Sequence, residues 1–87
     1  MRESVIEKKV SDYAKLLGWW TSKFTGTVGC PDRLFIRDSK VIFVEFKAPG
    51  KLPRPLQAKI IERMKIKGAT VYVVDDIEQG KGIFNAY

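Results

Sequence analysis

The sequence of this protein is organised around residues 33–47, which read RLFIRDSKVIFVEFK. Two apolar runs, Arg33 to Arg37 and Val41 to Phe46, flank a short polar connection, Asp38-Ser39-Lys40. This pattern predicts two antiparallel strands joined as a hairpin, although the connection lacks the Asn-Gly pair that such turns prefer. Because the second run is apolar at nearly every position before Glu45, we expect a central strand covered on both faces.

Before the hairpin, the pattern predicts a helix, a strand and a loop. Apolar residues recur at helical spacing from Ser4 to Leu17, and Ser4 with Glu7 fits a capping box at the start of this helix. The aromatic and threonine-rich segment Trp19 to Phe24 is typical of a strand. The segment Thr25 to Pro31 contains two glycines and a proline, which indicates a loop.

After the hairpin, the pattern predicts a loop, a second helix and a fourth strand. The loop from Ala48 to Pro55 leads into a helix from Pro55 to about Lys67, since proline is tolerated at the first helical position. Ala69 to Val74 is typical of a strand, and Ile77 to Tyr87 fits either a short helix or a strand. The expected order α-β-β-β-α-β is an α/β fold with a small mixed sheet flanked by helices, in which a helical crossover joins the third and fourth strands.

The chain is basic and short. Its 16 Lys and Arg residues outnumber its 10 Asp and Glu residues, which gives a formal net charge of +6. This excess favours a polyanionic partner, with nucleic acid as the leading candidate, and a merely basic soluble protein as the alternative. A chain of 87 residues has room for one domain, residues 1–87, with a core small enough to favour self-association.

Composition also restricts location and cofactors. No run of about 18 apolar residues is present, and the charged segment from Met1 to Tyr13 lacks the apolar centre of a signal peptide, so we expect a cytoplasmic protein. The single Cys30 and the absence of His exclude an internal disulfide and a zinc site. Any metal must therefore be held by oxygen ligands, which indicates Mg²⁺ or Mn²⁺, and no organic cofactor is expected.

Charged residues interrupt the third strand at its end. Side chains alternate along a strand, so Glu45 and Lys47 share one face, and the hairpin brings Asp32 opposite this end. Two carboxylates about 5 Å apart repel by about 3 kcal/mol at an effective dielectric constant near 20, and a divalent cation between them removes that repulsion. A plain ion pair between Glu45 and Lys47, with a turn role for Asp32, is the alternative from these residues alone.

Three short motifs occur together in this chain: Gly29-Cys30-Pro31-Asp32, Glu45-Phe46-Lys47 and Pro55-Leu56-Gln57. Together they resemble the signature of the PD-(D/E)xK nucleases, and in particular the VRR-NUC branch with its small stand-alone viral and prophage members. The resemblance covers nearly the whole chain and implies a restriction-endonuclease-like fold. The Val-Arg-Arg triplet that names the branch is absent, since residues 71–74 read VYVV. This departure affects the label of the branch more than the activity.

The resemblance implies a role for individual residues of the site. Asp32 and Glu45 would hold one or two divalent ions, and Glu7 on the first helix, or Glu3 one turn earlier, would complete the ligand set. Lys47 would orient the attacking water and offset developing negative charge. The implied set is catalytic Asp32, Glu45, Lys47 and Gln57, with Glu7, Asp32, Glu45 and the carbonyl of Phe46 as metal ligands.

Basic residues and the resemblance together lead to a prediction about substrate. Lys51, Arg54 and Lys59 cluster around the start of the second helix and are expected to contact phosphates, with a solvated basic face as the equal alternative. The resemblance implies a metal-dependent endonuclease that cuts branched, Holliday-type DNA junctions as a homodimer in a bacterial or phage-infected cell. A non-catalytic nucleic-acid-binding module of the same fold, and a duplex or RNA nuclease, are the alternative functions.

Overall fold

The four strands of the computed structural model form one mixed sheet, with helices on both faces. All residues 1–87 are described. The elements in chain order are α1 (Glu3–Leu16), β1 (Trp20–Lys23), β2 (Arg33–Arg37), β3 (Lys40–Phe46), α2 (Pro55–Ile66), β4 (Thr70–Val74) and α3 (Ile77–Asn85). The predicted order of elements is confirmed, and the tail, for which helix and strand were both open, forms a helix.

The hairpin at residues 33–47 supplies the two central strands. β1 and β2 pair antiparallel, as do β2 and β3, whereas β3 pairs parallel with β4 through the crossover helix α2. The turn has two residues and not three, because Lys40 already pairs with Arg37. Asp38 and Ser39 have φ angles of 50° and 66°. Type I′ hairpin turns require such left-handed values at both central residues, because their twist matches that of the flanking strands.

The core lies between one face of the sheet and the helices α1 and α3. Ile42, Val44 and Phe46 alternate toward this face and are buried, as the two-residue period of a strand predicts. The buried residues that cover them from the helices are Ile6, Val10, Ala14 and Phe84. The rings of Phe35 and Phe84 pack in a tilted arrangement with their centroids 4.8 Å apart, so aromatic contacts join β2 to the last helix.

The opposite face of the sheet is covered only in part, which corrects the expectation for β3. Helix α2 packs against β4 and buries Ile61, and the Glu45 end of β3 is buried beneath it. At the other end, Val41 is 45% exposed and its cross-strand neighbours Ile36 and Trp20 are 37% and 60% exposed. β3 is therefore covered on both faces only near its carboxyl end, because one helix of 12 residues cannot span four strands.

The start of α1 also differs from the prediction. The helix begins at Glu3 with Arg2 at the N-cap, and no side chain caps it. Ser4 therefore lies inside the first turn, so the predicted capping box with Glu7 is wrong. The physical reason is that the Glu7 carboxylate binds Arg33 on β2, while the negative charge of Glu3 in the first turn favours the positive end of the helix dipole.

Helix α3 closes the core beside α1. Asp76 caps this helix by accepting a hydrogen bond from the backbone N–H of Gln79 at 2.9 Å. Gly80 allows the two helices to approach closely, because a Cβ at that position would lie 2.5 Å from Cγ2 of Val10. None of the three helices has both the length and the apolar character that crossing a membrane requires.

Candidate active site

Asp32 and Glu45 are neighbours at the end of the hairpin opposite its turn. Arg33 pairs with Val44, so the residue before Arg33 and the residue after Val44 meet across the two strands. The Asp32 carboxylate accepts a hydrogen bond from the backbone N–H of Phe46 at 2.8 Å. This bond ties the loop end before β2 to the last residue of β3 and holds one carboxylate oxygen of Asp32 in place.

Both carboxyl groups lie in surroundings that oppose their ionisation. Burial raises the pKa of Asp32, the N–H of Phe46 lowers it, and the negative charge of Glu7 raises it further. Burial also raises the pKa of Glu45, which is only 2% exposed, and the charge of Asp32 adds to this rise while Lys47 opposes it. A buried and a half-buried carboxylate that repel each other form an environment that a bound cation would stabilise.

Glu45 forms a hydrogen-bonded network with Lys47 and Gln57. Its Oε2 atom accepts a hydrogen bond from Nε2 of Gln57 at 3.0 Å and lies 3.3 Å from Nζ of Lys47. The Lys47 ammonium donates to Oε1 of Gln57 at 2.7 Å. Gln57 also accepts a hydrogen bond from the backbone N–H of Arg54 at 2.9 Å, so the start of α2 anchors the side chain. The network therefore fixes an ammonium group beside the carboxylate pair.

The second oxygen of Glu45 distinguishes this network from a simple ion pair. Oε1 is buried and has no hydrogen-bond partner, and a buried polar atom without a partner calls for an explanation such as a bound ion. With Asp32 beside it, the site offers two carboxylates, a donor set that suits a hard cation such as Mg²⁺ or Mn²⁺. No three acidic, His or Cys side chains are close enough to form a complete metal site. Water, a backbone carbonyl such as that of Phe46, or a substrate phosphate would supply the remaining ligands.

Glu7, the predicted third ligand, is bound to an arginine in this structure. Its Oε2 accepts a hydrogen bond from Nε of Arg33 at 2.8 Å. Glu7 is still close enough for its charge to raise the pKa of Asp32, and the charge of Glu3 acts in the same direction on Glu45. Both glutamates of α1 thus lie near the carboxylate pair, and the choice between them as a metal ligand stays a prediction.

Sequence reasoning did not identify Arg33. Its side chain is 18% exposed and that of Glu7 is 15% exposed, and its Nη1 also donates to the hydroxyl of Thr21 at 3.1 Å. The signal was available in the strand alternation, because Arg33 lies two residues before the buried Phe35 and shares its face. A charged side chain on the face that α1 covers requires a partner, and Glu7 is the acidic residue that α1 provides.

The three basic residues predicted to contact phosphates lie in the loop before α2 and in the first half of that helix. Lys51 is in the loop between β3 and α2, Arg54 is the N-cap of α2, and Lys59 is on α2; all three are exposed. The loop is held in place because Asp75 accepts a hydrogen bond from the N–H of Gly50 at 3.0 Å. The loop and the first half of α2 therefore carry exposed positive charge, and contact with phosphates stays a prediction.

Comparisons with known proteins identify the family of this chain. No family model matches the chain. A protein of Acyrthosiphon pisum secondary endosymbiont phage 1, which carries the provisional name nuclease p44, is 40% identical over 78 residues, covering 86% of this chain and 84% of the relative. A solved structure described as a VRR_NUC domain matches with a TM-score of 0.88 and 29% identity over 98% of this chain and 96% of that chain. The chain therefore belongs to the VRR-NUC nuclease family, as one of its small phage-type members.

Proposed function

We propose that this protein is a metal-dependent endodeoxyribonuclease with Asp32, Glu45 and Lys47 at its catalytic centre and residues 1–87 as a single nuclease domain. The observation that carries the proposal is the buried, unpartnered Oε1 of Glu45 beside a second carboxylate. An ion pair with a purely structural role would satisfy that oxygen or expose it to water. A cation-binding site leaves it available for a ligand.

Phosphodiester hydrolysis requires more than proton transfer. General acid–base catalysis contributes about 10² to 10⁴-fold, whereas enzymes that hydrolyse very slow substrates need accelerations many orders of magnitude larger. A bound Mg²⁺ or Mn²⁺ would supply Lewis-acid activation of the phosphate and of a water molecule. Asp32 and Glu45 would provide oxygen ligands for that ion, and the 2.8 Å hydrogen bond from the N–H of Phe46 to Asp32 holds one of these carboxylates in position.

Lys47 acts on the attacking water and the phosphate. Its ammonium donates to Gln57 at 2.7 Å and lies 3.3 Å from Glu45, which leaves one of its three N–H donors free. That donor binds the attacking water or a non-bridging phosphate oxygen, and the positive charge offsets negative charge that develops in the transition state. Gln57 orders the site by holding Lys47 and Glu45 at fixed positions.

Branched DNA cut by a homodimer is the more specific part of the proposal. A two-fold dimer carries two equivalent active sites, which suits symmetric cleavage of a four-way junction. Support for a second subunit comes from Trp20, Ile36 and Val41, cross-strand neighbours whose apolar side chains remain exposed where α2 does not cover the sheet. The net charge of +6 suits a DNA partner, and such DNA is found in the cytoplasm of a bacterial or phage-infected cell.

A cleavage assay tests this proposal. Labelled four-way junction, linear duplex, flap, single strand and the matching RNA duplex are each incubated with the protein in Mg²⁺, in Mn²⁺ or in EDTA. We expect junction cleavage with either metal and none in EDTA. Asp32→Asn should abolish cleavage, and Lys47→Ala should lower its rate about 10² to 10³-fold, as loss of one transition-state donor does in other enzymes. Both variants should still bind the junction.

The control is Lys67→Ala, which removes the same charge from an exposed position at the far end of α2 and should leave cleavage unchanged. Wild-type protein that binds the junction in both metals and cuts none of the substrates would be a non-catalytic binding module. Preferential cleavage of linear duplex, or of the matching RNA, would reassign the substrate while keeping the hydrolytic mechanism.

A further inference from the structure

A polar groove runs beside the candidate active site, between α1 and the strands β1 and β2. It has a volume of about 300 Å³, and no hydrophobic residue lines it. Glu7, Ser11 and Lys15 line it from one face of α1, and Lys23 and Arg33 line it from the strands. Arg33, which follows Asp32 in the chain, lines the groove together with Glu7, so one end of the groove lies close to the carboxylate pair.

The groove carries more positive than negative charge. Four cations and two carboxylates line it. Arg33 is paired with Glu7 at 2.8 Å, and Lys8 with Asp12 at 2.9 Å. The Nζ atom of Lys23 lies 3.6 Å from Oε2 of Glu7, the same oxygen that Arg33 binds, and the Lys23 side chain is 70% exposed. Lys15, two helical turns from Glu7, is also exposed. These two lysines supply charge that the groove itself does not neutralise.

Ser11 provides an independent indication of a ligand. It is 3% exposed, and its hydroxyl is buried without a hydrogen-bond partner although it belongs to the groove lining. A hydroxyl in that position costs free energy unless something binds it. A hydroxyl between lysines is a common donor to phosphate oxygens in nucleic-acid complexes, where serine contacts the backbone together with lysine and arginine.

We propose that this groove binds the sugar–phosphate backbone of the substrate DNA strand over the three to four nucleotides next to the bond that is cut, with Lys23 beside Glu7 at the near end and Lys15 at the far end. The inference rests on the proposed nuclease function and names a second contact region for the same substrate. Glu7 and Lys15 are eight residues apart, which corresponds to about 12 Å along the helix axis. One DNA strand advances about 3.4 Å per nucleotide, so this length matches three to four nucleotides. Ser11 and the lysines Lys15 and Lys23 are the contacts.

Salt-dependent binding measurements test the lysines. Fluorescence anisotropy with labelled junction gives the dissociation constants, and EDTA is present so that no cleavage is expected. The proteins compared are wild type, Lys15→Ala, Lys23→Ala and a charge-matched control, Lys65→Ala, on the exposed side of α2. Each groove variant should reduce the slope of log affinity against log salt by about 0.9, so that its loss of affinity is about threefold greater at 50 mM than at 200 mM salt. Lys65→Ala should match wild type.

Ser11→Ala separates binding from folding. Removing a buried hydroxyl that has no partner should leave the melting temperature unchanged or raise it, whereas loss of a phosphate contact should weaken DNA binding. A lower melting temperature with unchanged DNA affinity would assign Ser11 a structural role and remove it from the proposal.

A backbone substitution maps the position of the contact. Replacing single phosphates of the labelled strand by uncharged methylphosphonates should weaken wild-type binding at the third or fourth position from the cleavage site. At that position Lys15→Ala should cause no further loss, because both changes remove one interaction and their effects are not additive. Additive losses at every position would overturn the groove proposal.

Failure of the groove and failure of the nuclease are distinguishable. If the protein cuts junctions and its groove variants bind DNA as tightly as wild type, the proposed function stands and this contact region does not. A protein that binds without cutting loses the catalytic proposal, and the lysine and methylphosphonate series still decides the groove. A wild-type protein that binds no nucleic acid refutes both.

Discussion

Replacement of Gln57 by leucine is the most direct test of the active-site network. The amide makes three hydrogen bonds, with Lys47 Nζ at 2.7 Å, Glu45 Oε2 at 3.0 Å and the backbone N–H of Arg54 at 2.9 Å. Leucine has a similar size, so Gln57→Leu removes all three bonds without adding charge or a large cavity. The variant should lose both stability and cleavage activity, each for a separate physical reason.

The loss of stability can be estimated from these bonds. A hydrogen bond to a charged group contributes about 1.5 to 3 kcal/mol and a neutral one about 0.5 to 1.5 kcal/mol. The simple sum overestimates the effect, because Lys47 lies 3.3 Å from Glu45 and can strengthen that ion pair. Glu45 is only 2% exposed, so water cannot replace the lost amide there. We expect the free energy of unfolding to fall by about 2 to 3 kcal/mol, which lowers Tm by about 10 °C or more in a domain of this size.

The loss of activity follows from the position of Lys47. Without Gln57 the ammonium is no longer held in one orientation, and loss of such supporting partners typically costs about 10 to 100-fold in activity or metal affinity. Thermal unfolding measured by circular dichroism gives the stability. Junction cleavage under single-turnover conditions at 25 °C gives the rate. DNA affinity in EDTA should change little, because Gln57 acts through Lys47 and Glu45.

The matched control is Gln79→Leu. The Gln79 amide makes two hydrogen bonds to neutral backbone groups, with the N–H of Asp75 at 3.3 Å and the carbonyl of Val73 at 3.1 Å, at an exposed position. This variant should lose some stability and retain the wild-type cleavage rate. If Gln57→Leu has the Tm and the cleavage rate of the wild type, the network does not position Lys47 and the reasoning is wrong.

Three further changes test the carboxylates, the helix packing and the proposed subunit contact. Asp32→Asn should abolish cleavage and raise Tm in EDTA. Burial holds the pKa of Asp32 above its unfolded value, so the free energy of unfolding of the wild type falls as pH rises between the unfolded and the folded pKa. Thermal melts across the acidic range should show a smaller fall in stability for the variant. Gly80→Ala should lower the urea midpoint, because the added Cβ lies 2.5 Å from a valine of α1 and overpacking costs about 1 to 3 kcal/mol. Val41→Lys should prevent dimer formation in light scattering, and a variant that stays dimeric would place the contact elsewhere.

The hairpin shows how local sequence determines local structure. The runs at 33–37 and 41–46 formed strands close to their predicted bounds, because the strand period and the apolar run act over a few residues. The turn was less predictable, since Asp38-Ser39 is not a preferred pair and both residues nevertheless have positive φ angles. The pairing of the two strands outweighs the conformational cost at the turn.

The candidate site divides in the same way. Asp32, Glu45 and Lys47 come together through the register of one hairpin, so their proximity could be predicted from strand alternation alone. Gln57 lies beyond a loop, and only the packing of α2 against β4 places its amide within hydrogen-bond distance of Lys47. Its inclusion before the fold was known depended on the family resemblance.

By itself the sequence determined the order of the first six elements, the two central strands and the face on which the acidic and basic groups meet, because these depend on periodicity and neighbouring residues. Only the tertiary structure decided that Glu7 binds Arg33, that one oxygen of Glu45 is buried without a partner, and that the row from Trp20 to Val41 remains exposed. These features depend on which helix covers which part of the sheet. Contacts between residues far apart in the chain decide that arrangement, and a local pattern carries no information about their distances.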